Sequence, residues 1–447
     1  MGINDWVMPG RGQGARLRRK VVPETLVIGV CGIFLAFLIR VSLQGPTGPV
    51  VALAVAFIVL VVALEGVTRA GIASVTLGAF FAPMNSIGPS AAVSFWTFAD
   101  AFLLLGFVLL LPRFLDHHVE VPPVFAIGAG VLVTTGLISS TLSSDPGQSF
   151  NEFARLLTSS VFLPLAFLTW RPSRNIIVFL AGGYVAGASV SFVYGIARHL
   201  VSHDGRYAGL AEHPNELGLT GMFAIALTPF LYEATRHGYR WVWVALALVN
   251  FDAIWESGSR AALLTVLLLA AGYPIVNRSA RAAGWVLLGL SIALMFSDKI
   301  LSEHGQNALG RLLGGGSSQD SDADRTQRIH STLDVVRAHP LLGEGFLNTL
   351  YAHVGYLEVA AAAGMFGLLG FCAMLYAADK SLLTAPRPVN LLSYPAVAYT
   401  FVALITNVLW DRYIWVPLCL SLLAWSHSRP DKEPADVPVG ASRGVNP

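Results

Sequence analysis

The chain has 447 residues, 54% of them hydrophobic and only 13% charged, with a formal net charge of +2. A mean hydropathy of +0.62 leaves too little polar surface to cover a soluble domain of this length, so the composition excludes a soluble enzyme and points to an integral membrane protein. A net charge this small gives no reason to expect a nucleic-acid partner; what matters is where the positive charges fall.

A hydrocarbon core about 30 Å thick needs roughly 20 apolar residues per helix, and the chain offers about fourteen such runs, with about twelve as the lower count. Residues 1–20 form a polar tail in which Arg11, Arg16, Arg18, Arg19 and Lys20 abut the first run, 22–41. That run is long for a signal peptide and no clear small-residue cleavage site follows it, so it is predicted to be a retained span. Further runs lie at 47–65, 67–84, 91–112, 121–141, 150–170, 175–198, 214–232, 240–256, 260–277 and 282–297, then at 353–378, 391–407 and 412–427. The expected organisation is a cytoplasmic tail, a helical membrane domain over 21–297, a large extracytoplasmic loop with short helices over 298–352, membrane helices over 353–427, and a disordered cytoplasmic tail over 428–447. Cys31, Cys372 and Cys419 all lie inside apolar runs and read as small core residues, not as a disulfide framework.

Short cytoplasmic loops should hold the Lys and Arg. With the N-terminus inside, alternate connections carry Arg69, Arg113, Arg171 with Arg174, Arg236 with Arg240, Arg278 with Arg281, and Lys380 with Arg387. This segregation predicts both termini in the cytoplasm and the 298–352 loop outside. The remaining outer charges are Arg198, Arg206, Arg260, Lys299, Arg311, Arg325, Arg328, Arg337 and Arg412. Lys299 and Arg311 read as solvated loop residues, because charged side chains are mostly exposed.

Arg206, Arg260 and the Arg325/Arg328 pair read differently. Arg206 opens a polar stretch, Arg206 to Glu216, that plunges straight into a span. Arg260 ends Ser257-Gly258-Ser259-Arg260, where Ser and Gly suit a helix N-terminus with free backbone donors. Arg325 and Arg328 are three apart and share a helix face. Several guanidiniums at one membrane face suit an anionic lipid headgroup, because each stays charged and binds phosphate oxygens bidentately. His353 starts the next span with Glu358 just over a turn along the helix; ionisable residues at such places are functional hypotheses, and neutral His can take a proton from a hydroxyl. His339-Pro340 followed by Gly343-Glu344-Gly345 reads as a turn that ends the preceding helix.

In order and spacing, the series Arg206…Gly209…His213-Pro214-Asn215, Ser257-Gly258-Ser259-Arg260-Ala261, His339-Pro340-Leu341-Leu342-Gly343-Glu344-Gly345 and His353…Tyr356-Leu357-Glu358…Gly364…Gly367 resembles the O-antigen ligase and O-antigen polymerase superfamily. The resemblance covers roughly residues 200–375. It implies a polytopic C-type glycosyltransferase of a bacterial cytoplasmic membrane, inverting and metal-independent, with its active site extracytoplasmic. Its donor would be a glycan on undecaprenyl pyrophosphate, and its acceptor a hydroxyl on a glycan, glycolipid or protein. By the same resemblance Arg206, Arg260 and His353 are the catalytic set, with His353 acting on the acceptor hydroxyl. Arg325, Arg328, Asn215, Glu358 and Tyr356 would bind substrate. One position departs: the superfamily usually has Asn after the loop His, and here Val354 stands there.

No Gly-rich Lys loop for a nucleotide and no metal-ligand spacing is present, so neither cofactor nor metal is expected. Gly183 and Gly187 read as a helix-packing pair, Gly314-Gly315-Gly316 as a hinge, and Asp100 and Asp252 as either a polar pathway or partners for neighbouring helices. A polymerase of the same superfamily accepts the same donor chemistry. A transporter of lipid-linked glycans is the competing class, but the internal repeat often seen in transporters is missing.

Overall fold

The structure is a computed structural model that describes residues 66–88, 96–114, 119–295, 307–313, 318–347, 352–406 and 409–428, with isolated positions 29, 32, 36, 40, 62 and 64. These residues are all-helical without strands; one isolated bridge joins Val201 and Tyr207. In chain order the main helices are α1 (Val67–Phe81), α2 (Phe98–Phe114), α3 (Pro123–Leu142), α4 (Pro146–Trp170, with a π turn at Thr158–Phe162), α5 (Arg174–Ala197), α6 (Pro214–Ala234) and α7 (Arg240–Ser257). They continue as α8 (Arg260–Val276), α9 (Ala280–Met295), α10 (Ala308–Leu312), α11 (Ser318–Ala338), α12 (Gly355–Asp379), α13 (Tyr394–Val402) and α14 (Arg412–His427). Every apolar run predicted from residue 67 onward holds a helix. The predicted tail 1–20, nearly all of the runs 22–41 and 47–65, Lys299, the Gly314–Gly316 hinge and the tail after Ser428 lie outside the described residues.

Five helical segments are long and apolar enough to cross a membrane: Pro123–Leu142, Pro146–Trp170, Arg174–Ala197, Pro214–Ala234 and Gly355–Thr384. Val67–Phe81, Arg260–Val276 and Val389–Val402 are shorter apolar helices. Local chemistry sets the starts: Pro122 and Pro123 open α3, Asp145 caps α4 by accepting from the Gln148 amide, and His213 with Glu216 forms a capping box on α6. The 298–352 stretch contains the short α10 and also α11, a polar helix of 21 residues.

The chain reverses at two levels. At one end the Arg206 guanidinium reaches the Ser257 carbonyl, the Phe346 amide donates to Ser149 and the Gly355 amide to Ala403. At the other end Arg387 pairs with Glu233, Asn277 donates to the Tyr394 hydroxyl, and the His427 ring meets the Pro172 carbonyl. Asp100 ties α2 to Arg412 at the start of α14, so this acid serves as a partner for a neighbouring helix; Asp252 is exposed on α7. Gly187 packs against α1 so closely that a Cβ there would meet the Phe80 carbonyl at 1.9 Å, consistent with a packing pair.

The most extensive helix pair is α3 with α12. Gly128 and Gly370 face each other at their crossing, where a Cβ on Gly128 would come to 2.5 Å from the Gly370 carbonyl. Farther along, α12 breaks: Gly364 has φ 70° and ψ −174°. A break frees backbone groups that an apolar setting cannot satisfy. Here the segment after α11 supplies the partners: the amides of Glu344 and Gly345 donate to the Ala361 and Ala362 carbonyls at 2.9 and 3.0 Å, and the Met365 amide donates to the Pro340 carbonyl at 2.9 Å. The His339-Pro340 turn therefore ends α11, and the following residues dock into the break. Phe346 completes the dock by stacking on Phe153 of α4, with ring centroids 5.0 Å apart.

Gly364 cannot be replaced without moving this segment, because a Cβ would stand 2.1 Å from the Leu341 carbonyl oxygen and the residue would keep a positive φ. Gly364→Ala is expected to cost at least about 2 kcal/mol and to expose residues 340–347 to protease. Gly272→Ala on α8, where a Cβ meets nothing within 4 Å, is expected to be neutral or stabilising by up to about 1 kcal/mol. Thermal denaturation and limited proteolysis of the two variants check this, and equal behaviour would contradict the docking.

Candidate functional site

The Ser257-Gly258-Ser259 corner is the seed of the site. Gly258 takes a left-handed conformation, φ 65°, which ends α7, and Ser259 begins α8. The last carbonyls of α7 are the negative end of a helix, and they hold two guanidiniums: Arg206 Nε donates to the Ser257 carbonyl at 2.7 Å and Arg311 Nη1 to the Gly258 carbonyl at 2.9 Å. The Arg206 loop is held by the Ser202 amide, which donates to the Arg206 carbonyl at 2.7 Å, and by the Tyr207 amide, which donates to the Glu256 carbonyl.

Arg206 is 3% exposed. Its other nitrogens reach Asp204 at 3.4 Å and the Asn215 side-chain oxygen. Arg206, expected to meet substrate, bonds the side chain of Asn215 and is not among the residues that line the cavity Asn215 borders. Asn215 itself, together with Ser259, Arg260, Ala261, Arg311, Arg325 and Thr406, lines a small cavity of about 10 Å³. The first turns of α6 and α8 both border this cavity, so the positive ends of two helices face the same space as three guanidiniums. Such walls favour an anion. The volume holds about one water, less than a pyrophosphate occupies.

Electrostatics inside the cluster follow from crowding. Burial, then Arg311 and to a smaller degree Arg325, pull Arg206 down to about 10, while Asp204 opposes them. Burial works to raise the Asp204 carboxyl, but the Ser202 hydroxyl and Arg206 outweigh it and hold the group below its ordinary value. The His213 imidazole is lowered by burial first and then by Arg206, Arg311 and His353. Its Nδ1 accepts from the Asn215 amide at 3.2 Å, which also requires that nitrogen to be unprotonated.

His353 lies within electrostatic reach of this cluster, half-buried and left-handed at φ 55°. Non-glycine residues rarely adopt that conformation, and it persists where the surroundings impose it. Val354 is the N-cap of α12 and offers no side-chain acceptor. Two neighbours take over. The Gly355 amide donates to the Ala403 and Thr406 carbonyls, and the Glu358 carboxyl accepts from the backbone amides of Ala352 and His353. Glu358 therefore supports the His353 backbone.

Of the predicted site residues, Arg260 from the catalytic set and Asn215 and Arg325 from the substrate-binding set come together on the cavity. Arg328 does not: it is exposed on α11 and pairs with Asp324 at 2.9 Å. Tyr356 points elsewhere, donating its hydroxyl to the Thr400 carbonyl at 3.0 Å. Arg311, expected as a solvated loop residue, is 3% exposed and lines the site. Its only sequence signal was position: Asn307, which caps α10 through the Gly310 amide, shows that a helix starts there. Among the described residues no group of three or more His, Cys, Asp or Glu stands close enough to hold a metal ion.

An anion filling the cavity should stabilise the fold by about 2.7 kcal/mol at a hundredfold excess over its Kd. Inorganic pyrophosphate is accordingly expected to raise the melting temperature of the native chain and to raise that of Arg260→Ala much less. Identical shifts in both proteins would place the anion elsewhere.

No protein-family model matches the chain, and no curated protein matches its sequence.

Proposed function

We propose that this chain is a multi-span membrane glycosyltransferase that moves a glycan from a polyprenyl-pyrophosphate donor to an acceptor hydroxyl, as the resemblance to O-antigen ligases implies. The observation that carries the reading is the convergence of Arg260, Arg311 and Arg325 with two helix N-termini on one cavity, with His353 in electrostatic reach of the same cluster. In this reading the cavity faces the extracytoplasmic side of a bacterial cytoplasmic membrane. The connections at the opposite helix ends, with Arg171, Arg236, Arg278 and Arg387, face the cytoplasm.

A glycosyl pyrophosphate already carries a good leaving group, so the protein has to steady the charge that develops on it, place the acceptor and take one proton. The acceptor oxygen attacks the anomeric carbon as the bond to the phosphate oxygen breaks. The electron pair leaves with the lipid pyrophosphate, between the three cavity arginines, and the hydroxyl proton passes to the His353 ring. A single displacement inverts the anomeric centre. Arg206 contributes indirectly, by holding Asn215 and the end of α7.

Purified protein in lipid nanodiscs, supplied with a polyprenyl-pyrophosphate glycan and candidate acceptors, should release polyprenyl pyrophosphate only when an acceptor is present. Products of one added glycan indicate a ligase, and a ladder of lengths a polymerase. His353→Ala is expected to lower transfer by roughly 10²- to 10⁴-fold while donor affinity and melting temperature stay near native. Near-native transfer in that variant would remove His353 from the chemistry. For the topology, a thiol placed by Ser318→Cys is expected to react with an impermeant reagent in intact cells, and protection would put α11 on the other side.

A further inference from the structure

A second small cavity, of about 20 Å³, is bordered by Glu152, Glu358, Phe346, Leu409 and Trp410; Leu409 follows three residues after Thr406, which lines the arginine cavity. It has room for one or two waters. Its walls are mostly apolar: Phe346 and Leu409 are 4% and 5% exposed. Two carboxyls break that surface, and both are buried, Glu152 at 6% and Glu358 at 5% exposure.

The two acids are not in the same state of satisfaction. Glu152 accepts from Arg155 at 2.9 Å on one oxygen and from Asn151 at 3.4 Å on the other. The Arg155 guanidinium in turn lies over the Trp410 ring, 5.5 Å from its centroid. Glu358 accepts the backbone amides of Ala352 and His353, yet its Oε1 is buried with no hydrogen-bond partner. A buried carboxyl oxygen left without a donor is costly, and natural sites supply one from a ligand or water.

We propose that this cavity is the acceptor subsite: it seats a hydroxyl or hydroxymethyl arm of an acceptor sugar, donated to Glu358 Oε1, beside the candidate base His353. The inference rests on the glycosyl-transfer reading above. Size selects the group, because a hydroxyl is about as large as water, while a pyranose ring must stay outside, against Trp410. The number of acceptors agrees. With both Glu152 oxygens already used, one open oxygen matches the single donor of a hydroxyl better than the three donors of an ammonium. Position agrees as well: the amide of His353 is bonded to the carboxyl that would hold the sugar, so one short segment sets the acceptor and the base relative to each other.

The test uses the full chain in nanodiscs with donor saturating and acceptor varied, over a series of acceptor sugars each lacking one hydroxyl. In the native protein one deoxy acceptor is expected to show a KM higher by about 10- to 100-fold, the range for leaving a buried polar group without its hydrogen bond. In Glu358→Gln the parent acceptor should show a similar rise, the matching deoxy acceptor no further rise, and donor affinity no change. Leu409→Phe, which fills the cavity without touching the carboxyl, should raise the acceptor KM in the same way. If every deoxy acceptor loses the same factor in native protein and Glu358→Gln, no hydroxyl sits on Glu358 and the proposal is overturned; so is it if only amine-bearing acceptors depend on Glu358. If the native protein transfers to no acceptor, the proposed function fails by itself, and saturation-transfer NMR with methyl glycosides then decides the subsite. Sugar signals present with native protein and lost with Glu358→Gln support it, and signals equal or absent in both overturn it.

Discussion

The break in α12 at Gly364 is the constraint from which the site end of the molecule is built. In an apolar setting each released amide and carbonyl must find a partner, and residues 340–345 provide them in the geometry of a missing half-turn. Because Phe346 and Leu347 follow directly, the same contact fixes one wall of the second cavity and joins α12 to α4 through Ser149 and Phe153. It also anchors the C-terminal end of α11. That helix brings Arg325 to the arginine cavity, so the break in one helix sets the reach of another.

The second organising force is the use of helix ends. The C-terminal carbonyls of α7 accept from Arg206 and Arg311, while the N-termini of α6 and α8 open toward the cavity those arginines surround. Cations sit at the negative end of one helix and an anion is invited to the positive ends of two others, with every dipole working in the same sense. Burial first, and then the neighbouring Arg311, holds Arg206 down at about 10.

Val354 shows how a local departure can be absorbed. An Asn at this place would offer a side-chain acceptor to the first amides of α12. Without it, the Ala403 and Thr406 carbonyls take the Gly355 amide, and Glu358 reaches back to Ala352 and His353. The left-handed His353 is held by backbone contacts on both sides, and Glu358, which borders the second cavity, keeps one oxygen without a partner.

What the sequence by itself determined is the set of helices and many of their boundaries. Apolar runs, the prolines before α3 and α4, the His213 to Glu216 box and the Gly258 corner act over a few residues, so their effect is present in the order of the side chains. The positions of Asn215, Arg260 and His353 at or just before helix starts were legible for the same reason. Tertiary structure alone decided which polar groups meet. Arg311 is buried because the Gly258 carbonyl, 53 residues away in sequence, lies above it; Arg328, one turn from Arg325, faces away and pairs with Asp324; Tyr356 turns to Thr400. A guanidinium or hydroxyl has the same local signature whether it meets solvent, a helix end or a substrate, and only the packing of distant elements chooses among them.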